Sequence, residues 1–176
     1  MRFYSGFGFR NDKLLFLEYL DRGKFCIAGF SFGTQKALLD ALQTITEGGR
    51  VEKLQLFSPA FFNYLPKELK NKEIIAYAKN QELYMRFFYK KASYPAMMDL
   101  EKFQSKPTLG ELKELLFFEW KCEDLESLKR SGVEIEVYLG EQDKIIDSKK
   151  AKEFFIQYAT VYMIKDVGHL LKGRDE

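Results

Sequence analysis

The spacing of hydrophobic and polar positions changes several times along the chain, and each change marks an element. Residues 2–5 predict a short strand, and Gly6-Phe7-Gly8-Phe9 a loop. Apolar side chains then crowd the segment from Lys13 to Leu20 (Leu14, Leu15, Phe16, Leu17, Tyr19, Leu20). This predicts a buried helix, started by Asn11 or Asp12 as cap and ended by Gly23 in the left-handed conformation. Lys24 to Gly29 predict a second strand, and the residues after Ser31 a helix to Thr46, stopped by Gly48-Gly49. Val51 to Phe57 predict a third strand. From Pro59 to Arg130 the pattern is helical, and Pro66, Pro95 and Pro107 cut it into helices near 67–80, 80–91, 109–119 and 122–130. The strand pattern returns at Val133–Leu139, a helix follows from Ser148 to Ala159, and a last strand from Thr160 to Lys165 trails into Asp166-Val167-Gly168-His169.

Strands alternating with helices predict an α/β architecture with a parallel sheet of about five strands. Residues 1–58 and 131–176 make its core, and residues 59–130 are a helical cap inserted between strands three and four. One detail modifies this picture. Val133, Ile135, Val137 and Leu139 share one face of their strand, while Glu134, Glu136 and Tyr138 share the other; Leu54 and Leu56 alternate likewise with Lys53 and Gln55. Parallel strands covered on both faces read as continuous apolar runs. The alternation predicts that one helical layer is thin or missing.

Composition narrows the class. The 176 residues are 46% hydrophobic and 31% charged, the balance of one globular domain. Aromatic residues are plentiful, 17 Phe and 10 Tyr against one Trp, more than a small core needs, which points to an apolar pocket. The formal net charge of +2 gives no ground for nucleic-acid binding. No run of about 18 apolar residues suggests a membrane span. The two cysteines, Cys26 and Cys122, make neither a disulfide framework nor a metal site and fit a reducing cytoplasm. With a single histidine and no carboxylate cluster at ligand spacing, metal catalysis is not expected, nor any cofactor.

The chemistry concentrates at Gly29-Phe30-Ser31-Phe32-Gly33. It sits between a predicted strand and a predicted helix, the context of a nucleophile elbow. There the serine hydroxyl stands clear on a strained turn, and glycines two residues before and after it remove side chains that would clash. His169, the only histidine, follows the last strand and is the candidate base, because imidazole titrates near the working pH. The candidate acid lies in the preceding strand's trailing loop, Gly140 to Asp147; Asp143 is preferred, with Glu141 and Asp147 as competitors. An oxyanion hole needs two backbone N–H groups. Phe32, after the nucleophile, supplies one, and Phe7, between the flexible Gly6 and Gly8, the other.

With its residues in the order Ser31, Asp143, His169, the chain resembles the α/β-hydrolases in a shortened form. Within them it is similar to the esterases of biotin synthesis that act on pimeloyl-acyl-carrier-protein methyl ester, most of all the short BioV type. The similarity rests on Phe3-Tyr4-Ser5-Gly6-Phe7-Gly8, on the elbow, on Leu139-Gly140-Glu141-Gln142-Asp143 and on Gly168-His169. The resemblance implies hydrolysis of that methyl ester to pimeloyl-carrier protein and methanol, with acyl carrier protein as partner. Residues 67 to 106 hold nine basic and five acidic side chains. A basic cap suits an acidic carrier protein, and Arg86, Lys90 and Lys91 are its candidate contacts. Phe61, Phe62, Tyr84, Phe87, Phe88 and Tyr94, with Met97 and Met98, are candidates to line an acyl tunnel. A general short-chain esterase or thioesterase, and a non-catalytic binding module on the same fold, are the competing readings.

Overall fold

The computed structural model describes residues 1–174. Its centre is one five-stranded sheet: β1 (Arg2–Tyr4), β2 (Cys26–Phe30), β3 (Lys53–Phe57), β4 (Glu134–Gly140) and β5 (Thr160–Ile164). All neighbours pair in parallel and stand in chain order. The helices are α1 (Phe32–Thr46), α2 (Lys67–Lys79), α3 (Gln81–Ser93), α4 (Leu109–Phe117), α5 (Cys122–Arg130) and α6 (Ser148–Phe155). The start signals work as their chemistry requires. Thr108 and Glu111 form a reciprocal capping box on α4, and the Asp147 carboxylate accepts the Lys149 and Lys150 N–H groups at the start of α6.

The two sheet faces differ in kind. Ile27, Leu54, Leu56, Ile135, Val137 and Leu139 face one way and pack with buried residues of α1, α5 and α6. The last helix of the 59–130 segment, α5, packs into this layer through Leu125 and Leu128 and lies against α1. Ala28, Phe30, Phe57 and Tyr138 face the other way. They are covered by the β1–β2 connection (Phe9, Leu15, Phe16, Leu20), by Val167, Leu170 and Leu171, and by Ala92, Leu100 and Phe103 from the cap side. None of α1, α5 and α6 lies there, as the polar alternation anticipated. Because this first connection crosses the face opposite to the others while the strands advance in the same direction, its hand is opposite to theirs.

The polar half of the alternation is not simply wet. Glu136 and Gln55 are buried and bonded to each other (Gln55 Nε2 to Glu136 Oε2, 2.7 Å). Lys53 Nζ and the Tyr138 hydroxyl donate to the same carboxylate at 3.0 and 2.9 Å. Gln55 also clasps the crossing chain, donating to Tyr19 O and accepting from Asp21 N. Solvent reaches the edge, where Tyr162 is 42% exposed.

That connection also corrects an expectation. Residues 13–20 form no α-helix; only a 3₁₀ turn, Asp12–Phe16, is present. Asn11 is left-handed and caps nothing, and Asp12 turns its carboxylate inward to Gly6 N–H instead of capping. Gly23 is not left-handed either; its N–H closes a local turn on Asp21 Oδ1.

Candidate active site

Three strand ends meet at the site. β2 ends in the elbow, where Ser31 holds φ 50° and ψ −115°, a strained conformation for a residue with a side chain. The glycines are required by contact. A Cβ on Gly29 would stand 2.3 Å from Gly33 O, and one on Gly33 2.0 Å from Tyr4 O. The second contact is what lets the end of β1 press against the start of α1, drawing the 6–8 loop toward the serine.

His169 arrives from the loop after β5. A Cβ on Gly168 would stand 1.7 Å from Tyr94 O, and one on Gly140 2.2 Å from Gly168 O, so the histidine loop is wedged between the cap and the end of β4. Ser58, at the end of β3, donates its hydroxyl to His169 O at 2.7 Å. The Phe30 ring lies under the imidazole with centroids 5.1 Å apart.

His169 Nε2 is 3.0 Å from Ser31 Oγ, and Nδ1 is 2.7 Å from Asp143 Oδ2. The other Asp143 oxygen accepts the Ile145 and Ile146 N–H groups at 2.7 and 3.1 Å. An ionised Asp143 places the proton on Nδ1 and leaves Nε2 free to accept the serine proton. Of the competing acids, Asp147 caps α6 and Glu141 is exposed on the surface. Ser31 and His169 are both buried, at 2% and 0% exposure.

Phe7 and Phe32 supply the two candidate oxyanion donors. Phe32 is the first residue of α1, where an N–H has no intrahelical partner and the helix dipole favours negative charge. The peptide that carries Phe7 N–H is oriented by its own carbonyl: Gly6 O accepts Phe9 N–H at 3.0 Å. In a trans peptide the N–H then points the opposite way.

A cavity of about 800 Å³ opens over Ser31. Its walls include Phe7, Phe62, Leu83, Tyr84, Phe87, Phe88, Leu112, Leu115, Leu116 and Ile145, with Lys79, Lys91, Lys144 and Glu73 as charged members. Of the tunnel candidates, Phe62, Tyr84, Phe87 and Phe88 line it, as does Lys91, a candidate carrier contact. Arg86 and Lys90 do not. They face the opposite side of α3 and line a separate groove of about 1210 Å³ with Arg10, Met98 and Lys106. Residues three or four apart share a helix face, so 84, 87, 88 and 91 turn one way while 82, 86, 89, 90 and 93 turn the other. Phe61, Tyr94 and Met97 line neither, and Met98 lies only on the second groove; the Lys144 ammonium sits 5.0 Å over the Tyr94 ring. Sequence reasoning missed Lys79, Lys144 and Ser58, none of which belongs to a motif. Tyr84 donates to Glu73 at 2.8 Å inside the cavity, and burial, reinforced by that carboxylate, raises the phenol's pKa. Among the described residues no group of three or more His, Cys, Asp or Glu is placed to hold a metal ion, and no helix is long and apolar enough to cross a membrane.

A parallel sheet with its nucleophile on a strand-to-helix elbow, and with the acid and histidine on the two following strand ends, defines an α/β-hydrolase fold in reduced form. Solved structures agree. BioG from Haemophilus influenzae superposes with a TM-score of 0.60 at 13% identity, covering 96% of this chain and 87% of that one. MGS-M2, an α/β hydrolase enzyme from a Medee basin deep-sea metagenome library, gives 0.58 at 19%, covering 90% of this chain and 63% of its own. E-2-(acetamidomethylene)succinate hydrolase gives 0.57 at 11%, covering 96% and 84%. No family model matches the sequence, and no curated protein matches it. At these identities the likeness is one of fold.

Proposed function

We propose that this chain is a serine carboxylesterase. The observation that carries the reading is the unbroken array Ser31–His169–Asp143, with both hydrogen bonds at 3.0 Å or less and Ser31 facing a mainly apolar cavity. His169 takes the Ser31 proton as Oγ attacks the ester carbonyl. The Phe7 and Phe32 N–H groups hold the oxyanion, and Asp143 steadies the imidazolium. His169 then protonates the departing alcohol. Water, deprotonated by the same imidazole, cleaves the acyl-enzyme and frees the acid.

For the substrate, we infer the methyl ester of pimeloyl-acyl carrier protein, giving methanol and pimeloyl-carrier protein. Three things support it: the motif resemblance, the fold likeness to BioG over nearly the same chain length, and the cavity itself. Its apolar walls suit an alkyl chain, and Lys79, Lys91 and Lys144 suit the anionic carrier from which the chain extends. Purified protein should release methanol from pimeloyl-carrier protein methyl ester. Turnover of small esters with the carrier substrate left intact would replace this with the short-chain esterase reading. Reversing Lys79 and Lys91 to Glu should depress carrier-substrate turnover more than small-ester turnover, most strongly at low salt. Reversing Arg86 and Lys90 to Glu instead tests docking on the far side of α3.

A further inference from the structure

Asp12 is a carboxylate in the wrong place for an ordinary surface acid. Its side chain has 0% exposure and belongs to the β1–β2 connection, which covers the sheet face away from α1, α5 and α6. No cation stands within ion-pair distance of it among the described residues. Burying such a group is costly, and a leucine would pack more cheaply. Oδ1 is buried with no hydrogen-bond partner, and the carboxylate, which the Ser5 side chain also bonds, accepts the Gly6 N–H through Oδ2 at 2.8 Å.

That partner is adjacent to the oxyanion hole. The peptide between Gly6 and Phe7 carries the candidate donor, Phe7 N–H. Its carbonyl is held by Phe9 N–H at 3.0 Å, and the preceding N–H, on Gly6, is held by Asp12. On the far side, Gly8 O accepts Ser105 N–H at 2.8 Å, and the Tyr89 hydroxyl lies 2.5 Å from it. The loop has no slack toward the sheet, since a Cβ on Gly6 would stand 2.7 Å from the Phe30 ring, the ring that also lies under His169. Every anchor around the 6–7 peptide but one is a backbone group, a hydroxyl or a packed ring. Asp12 is the sole carboxylate among them.

We propose that Asp12 is a positioning residue whose carboxylate, by accepting the Gly6 N–H, aims the Phe7 N–H at the developing oxyanion. It touches no substrate and acts through the loop. The inference rests on the serine-hydrolase reading above, and it predicts a loss in the chemical step with substrate binding spared.

Two near-isosteric variants separate the roles. Asp12→Asn keeps an acceptor for Gly6, and Asp12→Leu has none. With a chromogenic small ester, Asp12→Leu should lower kcat at least tenfold, approaching the 10²–10³ loss of an oxyanion donor, with KM within about threefold. Asp12→Asn should stay within about threefold of wild type in both. A kcat for Asp12→Leu within threefold of wild type overturns the proposal, as does equal damage from Asn and Leu. Should the leucine variant fail to fold, amide exchange in the native protein decides. Gly6 N–H should be strongly protected in wild type and in Asp12→Asn, and rapid exchange in wild type overturns the proposal. If the wild type turns over no ester, the hydrolase reading and this proposal fall together. If Ser31-dependent turnover stands while Asp12→Leu matches wild type, only the proposal falls.

Discussion

Replacing Asp143 by Asn tests whether the carboxylate sets the state of the histidine or merely fills space. Oδ1 of Asp143 accepts two backbone N–H groups, from Ile145 at 2.7 Å and Ile146 at 3.1 Å. In Asp143→Asn only the amide oxygen can stay there, because an NH₂ would set donor against donor. The NH₂ then faces His169 Nδ1, which is 2.7 Å away in the native site. Nδ1 must accept, so the ring proton moves to Nε2 and points at Ser31 Oγ. The base has lost its lone pair while every heavy atom stays in place. A wrong-tautomer histidine costs about 10⁴ in kcat, or about 5 kcal/mol at 1.36 kcal/mol per decade. The assay is steady-state hydrolysis of a chromogenic ester, with thermal melting as a control. KM should change little, because Asp143 does not line the cavity, and Tm should hold, because both backbone bonds survive. A kcat loss under tenfold in a well-folded variant would refute the tautomer argument.

Three other outcomes follow from the coordinates. Gly168→Ala sets a Cβ 1.7 Å from Tyr94 O; overpacking of about 1–3 kcal/mol should lower Tm by about 2–12 °C and displace His169, and an unchanged Tm would refute the wedge. Burial alone would raise the pKa of Glu136, but donors from Lys53, Gln55 and Tyr138 outweigh it and hold the carboxyl below its ordinary value. Such a group stabilises the fold above its unfolded pKa and loses that contribution as pH falls through the lower folded value. Melting at stepped pH should therefore show a fall below about pH 4.3 that is smaller in Glu136→Gln, and equal acid sensitivity would contradict the network. Burial pushes the Cys26 thiol up to about 11, whereas Cys122 is half-buried. Iodoacetamide at neutral pH should alkylate Cys122 well before Cys26, read by peptide mass, and the reverse order would contradict the packing.

Much of this site is local in sequence, and local features are what a sequence displays. The elbow, the terminal position of His169 and the Asp143 loop each occupy a few adjacent residues, and the structure brings them together. The five strands likewise follow their own apolar patterns. What escaped depends on distant partners. Glu136 looked solvated because its donors, the Lys53 ammonium and the Gln55 amide, lie about eighty residues away. Asp12 is the exception: it looked like a helix cap because residues 13–20 read as an apolar helix, but only a 3₁₀ turn forms and the carboxylate turns back to Gly6, six residues earlier. The side of α3 that faces Ser31 is set by the packing of the cap, so the basic residues Arg86, Lys90 and Lys91 divided between two surfaces.

The central claim is that Ser31 is a nucleophile activated by His169. Intact-protein mass spectrometry after exposure to a fluorophosphonate tests it without choosing a substrate. The account predicts one stoichiometric adduct on wild type, mapped to the peptide containing Ser31, and none on Ser31→Ala. An unmodified wild type, or the same adduct on Ser31→Ala, would contradict it.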